Sequence, residues 1–281
     1  GFDSPEAGGD DCDDGDATIS PAGTETMLNL WEDDNCDSAL TTPEGSYGDQ
    51  VWLGTESGAL VGEHMSKLGD INGDGVDEAI VAAIYSGIAY PNGGTAYIIS
   101  GPDGGPIDTG HEILAGGENW YLGVDSDGGT DFDGDGFPDV LLGAPGKLSK
   151  GAAYLVTAAV IGAGGTSQLP DDAWWSFEGD IDANYWGTVR GIGDFDGDGI
   201  EDAAIAAAFG SANLPTDGMV AIASPADGES ITPAEAAYRF VGDYEGARYG
   251  EPLGRIGDLD LDGLDEVLVG VTSGNIAIVI R

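Results

Sequence analysis

Positive charge is almost missing from this sequence. Eight Lys and Arg stand among 281 residues against 52 Asp and Glu, and none precedes Lys67. A chain with a formal net charge of −44 repels phosphate backbones and anionic lipid headgroups, so nucleic-acid binding and membrane-surface binding are excluded. No apolar run approaches the roughly 18 residues of a membrane span. The N-terminus also lacks a basic segment leading into an apolar one. The expectation is an extracellular or cell-surface protein with no direct membrane insertion, secreted and already relieved of its signal peptide.

Catalytic vocabulary is equally thin. His64 and His111 are the only histidines. His111-Glu112 lacks the second His of a zinc-protease helix, and there is no G-x-S-x-G turn to present a nucleophilic Ser. With 52 acidic residues, paired glycosidase carboxylates arise easily by chance, so they identify no cleft. The expectation is a protein without enzymatic activity, in which both histidines are structural or surface residues. Cysteine is limited to Cys12 and Cys36, in an acidic stretch poor in core-forming residues. Free thiols or a disulfide formed in an oxidising compartment are the two readings, with pairing expected. A bridge would close a loop of about 24 residues, worth about 3 kcal/mol if it acts through the entropy of the unfolded chain.

What the sequence has in abundance is Gly, at 50 residues, and Asp, which outnumbers Glu by 36 to 16. That balance suits turns and metal loops rather than helices. The motifs DINGDG at 70–75, DFDGDG at 131–136, DFDGDG at 194–199 and DLDLDG at 258–263 recur at spacings of 61, 63 and 64 residues. A period near 60 marks a repeat architecture.

Each repeat opens on an aromatic or apolar residue followed by Gly, at Gly62, Gly123, Gly187 and Gly250. The acidic loop follows. Next come a short apolar run (79–84, 140–144, 203–209, 267–271), a third segment (95–99, 152–156, 219–223, 275–280) and, in the first three repeats, a fourth ending in Gly (112–116, 174–179, 238–242). The apolar runs are too short for helices and are bounded by turn residues. The predicted fold is therefore all-β, a β-propeller of four-stranded blades with four blades. The fourth repeat has no fourth segment. Residues 51–53 precede Gly62 in the phase of that segment and are expected to complete the last blade, closing the ring; the alternative is a fragment of a longer propeller.

The loops follow D-x-[DN]-x-D-G-x-x-[DE]. Side-chain oxygens at positions 1, 3, 5 and 9 and a carbonyl at position 7 can converge on one point, and highly charged all-oxygen coordination selects Ca²⁺. The candidate ligands are Asp70, Asn72, Asp74, Val76 and Glu78; Asp131, Asp133, Asp135, Phe137 and Asp139; Asp194, Asp196, Asp198, Ile200 and Asp202; and Asp258, Asp260, Asp262, Leu264 and Glu266. One such loop alone reads equally well as a hairpin turn. Four with acids at the same offsets do not, because a turn needs only Asp-Gly and extra carboxylates repel one another. An EF-hand is excluded, since its position-12 Glu is replaced by Val81, Leu142, Ile205 and Val269, all within the apolar segments.

Residues 51–281 resemble the FG-GAP repeats of the integrin α-subunit β-propeller. The resemblance rests on the Gly at each repeat start, the D-x-D-x-D-G loops and Gly143-Ala144-Pro145. It implies a Ca²⁺-binding propeller serving adhesion and ligand recognition outside the cell, with an extracellular protein or copies of itself as partner. Integrin propellers have seven blades and this chain has four repeats, of which one keeps the Gly-Ala-Pro triplet, so blade number and ligand do not carry over. The N-terminal stretch, with its acidic segment at 10–16, Pro21 and the second acidic segment at 33–37, resembles MopE-type metal-binding repeats of secreted bacterial proteins. Either a solvated acidic tail or a disulfide-closed loop holding one more Ca²⁺ through some of Asp11, Asp13, Asp16, Asp33 and Asp37 fits it.

The domains expected are therefore a metal-binding module over 1–40 and a propeller over 41–281. A competing function is a carbohydrate-binding module or the substrate-binding part of a secreted hydrolase. Its support is Trp120, Trp174, Trp175 and Trp186, one of which could present a ring to a glycan; packing between blades is the plainer role for them.

Overall fold

The computed structural model describes residues 52–100, 105–106, 110–225 and 228–281. It divides into two compact units, residues 1–53 with 102–105 and residues 54–101 with 106–281. The candidates Asp11, Asp13, Asp16, Asp33 and Asp37, and both cysteines, lie outside the described residues.

The second unit is all-β in its main elements, as the repeats predict. Its first sheet runs Val61–Gly69, Glu78–Ala83, Thr95–Ile99, His111–Leu114 in antiparallel order. The second runs Ser126–Thr130, Asp139–Gly143, Ala152–Val156, Trp175–Glu178, and the third Thr188–Gly193, Asp202–Ala207, Met219–Ala223, Tyr238–Val241. The fourth has Tyr249–Gly257, Glu266–Val271 and Ile276–Ile280. Several successive meanders of this kind fit a β-propeller.

Both faces of the inner sheets are buried, which is why their second and third strands read as unbroken apolar runs. Ile80, Ala96 and Ile98 of the first sheet pack with Val140, Leu142 and Tyr154 of the second. Leu141, Ala153 and Leu155 turn the other way, into a core with Ile205, Met219 and Ala221. Ala204, Ala206 and Val220 then pack with Leu253, Val267 and Val269. Alternation along each strand thus sends successive side chains into successive interfaces. The interfaces are close: a Cβ on Gly143 would overlap the Gly187 carbonyl oxygen, and one on Gly187 would overlap the ring of Pro145. Gly-Ala-Pro at 143–145 is therefore a close-packing element between neighbouring sheets.

Two pairings differ from expectation. Thr166–Gln168 adds a fifth, parallel strand to the first sheet beside His111–Leu114. Trp52–Leu53 pairs with Gly105–Pro106 in a two-stranded sheet, and the fourth sheet has three strands among the described residues. The expected completion of the last blade by residues 51–53 is thus not the pairing observed. Repeat phase says where a strand ends but not which edge it joins, and two residues specify register weakly.

Candidate metal centres

Each acidic loop joins the first two strands of its sheet: 70–77, 131–138, 194–201 and 258–265. The first carboxylate organises the turn by accepting successive backbone N–H groups. Asp70 Oδ1 accepts from Gly73 at 2.7 Å and Asp74 at 3.0 Å, while Oδ2 accepts from Gly75 at 2.9 Å. Asp131 repeats this with Gly134, Asp135 and Gly136. Asp194 accepts from Gly197 and Gly199, and Asp258 from Asp262 and Gly263. The turn needs left-handed backbone, taken by Gly73, Gly134 and Gly197 at position 4. In the last loop that place falls to Leu261, at φ 66° and 86% exposed.

The ninth-position carboxylates sit beneath the loops at the start of the second strands. Glu78, Asp139, Asp202 and Glu266 are all buried. One oxygen of each accepts an N–H from the residue after the first Asp: Ile71 at 2.9 Å, Phe132 at 2.9 Å, Phe195 at 2.9 Å and Leu259 at 2.6 Å. Burial, reinforced by Asp133, pushes Asp139 up to about 7. Burial with Asp196 and Asp198 does the same to Asp202, also to about 7. Burial likewise raises Glu78, where Asp74 and Asp70 add to the effect. The fold thus concentrates carboxylates around each loop, and in the fourth Arg281 Nη1 donates to Asp260 Oδ2 at 2.7 Å.

The gathering of oxygens differs between loops. Asp258, Asp260, Asp262 and Glu266 each bring a carboxylate oxygen within 4.8 Å of the others. Asp131, Asp133 and Asp139 do so in the second loop, and Asp194, Asp196 and Asp202 in the third. Asp135 and Asp198, expected to join them, are not among the gathered acids; they accept the N–H of Phe137 and Ile200, each at 2.8 Å, a bond that Asp262 also makes, with Leu264. In the first loop Asp74 does the same for Val76, and Asn72 donates to Glu78 Oε1 at 3.3 Å. Val76, Phe137, Ile200 and Leu264 occupy position 7 of their loops.

One atom tests whether these residues suit a cation. Glu266 is 1% exposed, and its Oε1 has no hydrogen-bond partner, although Oε2 accepts from Leu259. A buried carboxylate oxygen left without a donor is costly unless a cation meets it. A donor set made only of oxygens, mostly carboxylates, suits a hard divalent ion.

The FG-GAP repeat family matches residues 123–156, from the Gly that opens the second repeat through its acidic loop to the end of its third strand. The chain is also similar to integrin alpha-5 of Xenopus laevis, 30% identical over 103 residues, which is 34% of this chain and 9% of that protein. Integrin alpha pat-2 of Caenorhabditis elegans is 31% identical over 145 residues, 50% of this chain and 11% of the relative. Integrin alpha-PS5 of Drosophila melanogaster is 34% identical over 115 residues, 38% of this chain and 11% of the relative. These matches support an integrin-like FG-GAP family. The chain spans about a tenth of the length of these relatives.

Other polar groups tie the sheets together beside the loops. Asp125, just ahead of the strand, and Asp127, within it, accept the backbone N–H of Val189 at 2.9 Å and of Gly191 at 2.8 Å. His64 lies 3.4 Å from Asp125 and contacts the Ser126 carbonyl at 3.2 Å. Burial raises Asp125, against the lowering effects of the Val189 N–H, Arg190 and His64. Sequence reasoning missed this cluster. Its only signal is two acids at alternate positions just ahead of Asp131.

Of the tryptophans, Trp120, Trp175 and Trp186 are buried, and Trp174 packs against the core between the second and third sheets. Trp120, Trp175 and Trp186 thus serve in packing, while Trp174 stays partly exposed. No helix among the described residues is long and apolar enough to cross a membrane.

Proposed function

We propose that residues 54–281 form a Ca²⁺-stabilised, FG-GAP-type β-propeller of four blades, without enzymatic activity. Its role is protein interaction, adhesion or surface assembly outside the cell. The observation that carries the calcium reading is the gathering of Asp258, Asp260, Asp262 and Glu266, the last with a buried oxygen that has no hydrogen-bond partner. The repeated position of all four loops extends the reading to four sites, with Asp70, Asn72, Asp74 and Glu78 serving the first. The similarity to integrin α chains supports the interaction role, with an extracellular protein or a second copy as partner. A further Ca²⁺ in residues 1–40 belongs to the same proposal, through some of Asp11, Asp13, Asp16, Asp33 and Asp37.

The cation's contribution is to neutralise converging carboxylates; the chain's own part is to hold them. Asp131 and its counterparts are fixed by N–H groups of their own loops, and the ninth-position acids by the backbone below. Titration calorimetry with Ca²⁺ on the metal-free chain tests the proposal. Four or more sites support it; heat of dilution alone refutes it.

A further inference from the structure

The four acidic loops are not evenly packed against one another. A Cβ placed on Gly73, the fourth residue of the first loop, would lie 3.0 Å from the Phe137 ring of the second. One on Gly197, at the same place in the third, would lie 2.7 Å from Leu264 Cδ2 of the fourth. One on Gly134, in the second, meets nothing within 4 Å. Between the second and third loops lies a cavity of about 290 Å³ lined by Asp131, Gly134, Ile200 and Glu201. The loops are thus packed in pairs, first with second and third with fourth, with a gap between the pairs.

The two pairs are joined differently. The eighth residue of the second loop is Pro138, which has no N–H to give and meets Gly69, just ahead of the first loop, through its ring. In the fourth loop that place belongs to Asp265, whose N–H donates to the carbonyl of Asp194 at 3.0 Å. Asp194 is the first acid of the third loop. The Asp265 carboxylate also fills the space over Gly193, where a Cβ would overlap it. Arg255 closes the junction. Its Nη1 lies 3.3 Å from Glu201 Oε2, in the eighth place of the third loop, and its Nη2 lies 3.9 Å from Asp265 Oδ2. One cation thus draws together acids of two loops that would otherwise repel each other.

Asp265 stands between Leu264 and Glu266, the seventh and ninth positions of its own loop. A cation that fixes those two residues fixes Asp265 as well and, through its N–H, the backbone of Asp194. The third loop is then partly ordered before its own ion arrives, and the second ion has less ordering left to do. We propose that the third and fourth loops bind Ca²⁺ as a cooperative pair, with Asp265 and Arg255 as the positioning residues that couple them. Each loop keeps its own turn, so an empty neighbour lowers affinity without abolishing a site. The inference rests on the calcium reading and adds a dependence between its sites. Neutralising one loop also weakens the field at the next, which works against the coupling. Salt screens that field within about 8 Å at physiological ionic strength, and a backbone hydrogen bond persists there.

Amide NMR of the full chain, titrated with Ca²⁺ from the metal-free state at physiological ionic strength, reads each loop through its own sixth residue: Gly75, Gly136, Gly199 and Gly263. Asp260→Ala removes one acid from the fourth loop while Asp258 still organises its turn. The Ca²⁺ midpoint at Gly199 should then rise about 5-fold or more, and those at Gly75 and Gly136 should stay where they were. Asp196→Ala should raise the Gly263 midpoint by the same factor, because coupling is reciprocal, and it serves if Asp260→Ala prevents folding. With Arg255→Met, which keeps every loop acid, Asp260→Ala should move Gly199 less, since part of the junction is already gone. A Gly199 midpoint indifferent to the fourth loop, or an equal rise at Gly75 and Gly136, would overturn the proposal. No Ca²⁺-dependent change at any of the four glycines would overturn the calcium reading itself, and this inference with it.

Discussion

Asp127 and Arg190 join the first strands of two neighbouring sheets. Asp127 Oδ1 accepts from Arg190 Nη1 at 3.1 Å, while its Oδ2 accepts the Gly191 N–H at 2.8 Å. One carboxylate thereby holds both a side chain and a backbone of the next repeat. The pair is mostly buried, at 18% and 25% side-chain exposure, which separates it from the surface pair of Lys67 and Asp77, at 55% and 73% for the acid and the base.

A double-mutant cycle on Asp127→Ala and Arg190→Ala should therefore return a coupling of about 1 kcal/mol or more, as charge-assisted bonds do when screened from water. The same cycle on Lys67 and Asp77 should return about 0–0.5 kcal/mol. Equal couplings from chemical denaturation would show that Asp127 is not a tie between sheets.

Gly143→Ala forces a methyl into the Gly187 backbone. Since the obstacle is main chain, the sheets must separate slightly, at a cost of about 1–3 kcal/mol. Gly134→Ala meets nothing nearby and should lose only about 1–2 kcal/mol from its left-handed backbone, at φ 76°. The distinguishing result is in the core: Gly143→Ala alone should alter the near-ultraviolet signal of the buried Trp186.

Leu261→Gly replaces a side chain held at φ 66°. Relief of about 1–2 kcal/mol of strain outweighs the roughly 0.4–1 kcal/mol of added unfolded-state entropy. Thermal melting should show a small net gain. A clear loss would mean that the exposed Leu261 side chain makes a contact of its own.

His111 sets an acid limit. It is buried in the first sheet with Nε2 at 2.9 Å from Ser167 Oγ and Nδ1 unpartnered, and burial lowers its pKa below the ordinary 6.5 against an opposing effect from Asp172. The unfolded chain thus takes up the proton first as pH falls. The stabilising effect of a neutral His111 is complete above 6.5 and fades below that value. His111→Gln should flatten the loss of melting temperature between about pH 7 and 5.5 in saturating Ca²⁺. An unchanged slope would remove His111 from the account.

Much of this architecture is legible in the residue order because the repeat aligns signals that are individually weak. Asp131 and Gly136 recur at the same offsets in every repeat, and Asp139 recurs as Asp or Glu, so loop position and the strands on either side follow together. Thr166–Gln168 was hidden because a three-residue polar strand has no alternation to detect. Trp52–Leu53 was visible as a strand, yet its partner Gly105–Pro106 has no pattern by which to be found. Asp125 and Asp127 were lost among 52 acids, since a carboxylate that accepts backbone N–H groups looks the same in sequence as one in water. The tryptophans showed the converse: their type suggested a sugar platform, and burial assigns Trp175 and Trp186 to the core.

Asp196→Ala removes one of the three acids gathered in the third loop. Calorimetric Ca²⁺ stoichiometry should fall by one while the other sites persist, because each loop is held by its own backbone. Loss of every site would show the loops to be coupled, and no loss would make this one a plain turn.

The central claim is that calcium holds the fold. With four sites of Kd about 10⁻⁴ M, ~1–2 mM Ca²⁺ contributes roughly 1.4–1.8 kcal/mol per site and about 6–7 kcal/mol in all. That is comparable to the net stability of a whole domain. The most direct measurement is the melting temperature of the full chain before and after EGTA, with metal removal verified by elemental analysis. The account predicts a large fall that added Ca²⁺ reverses; an unchanged melt in metal-free protein would contradict it.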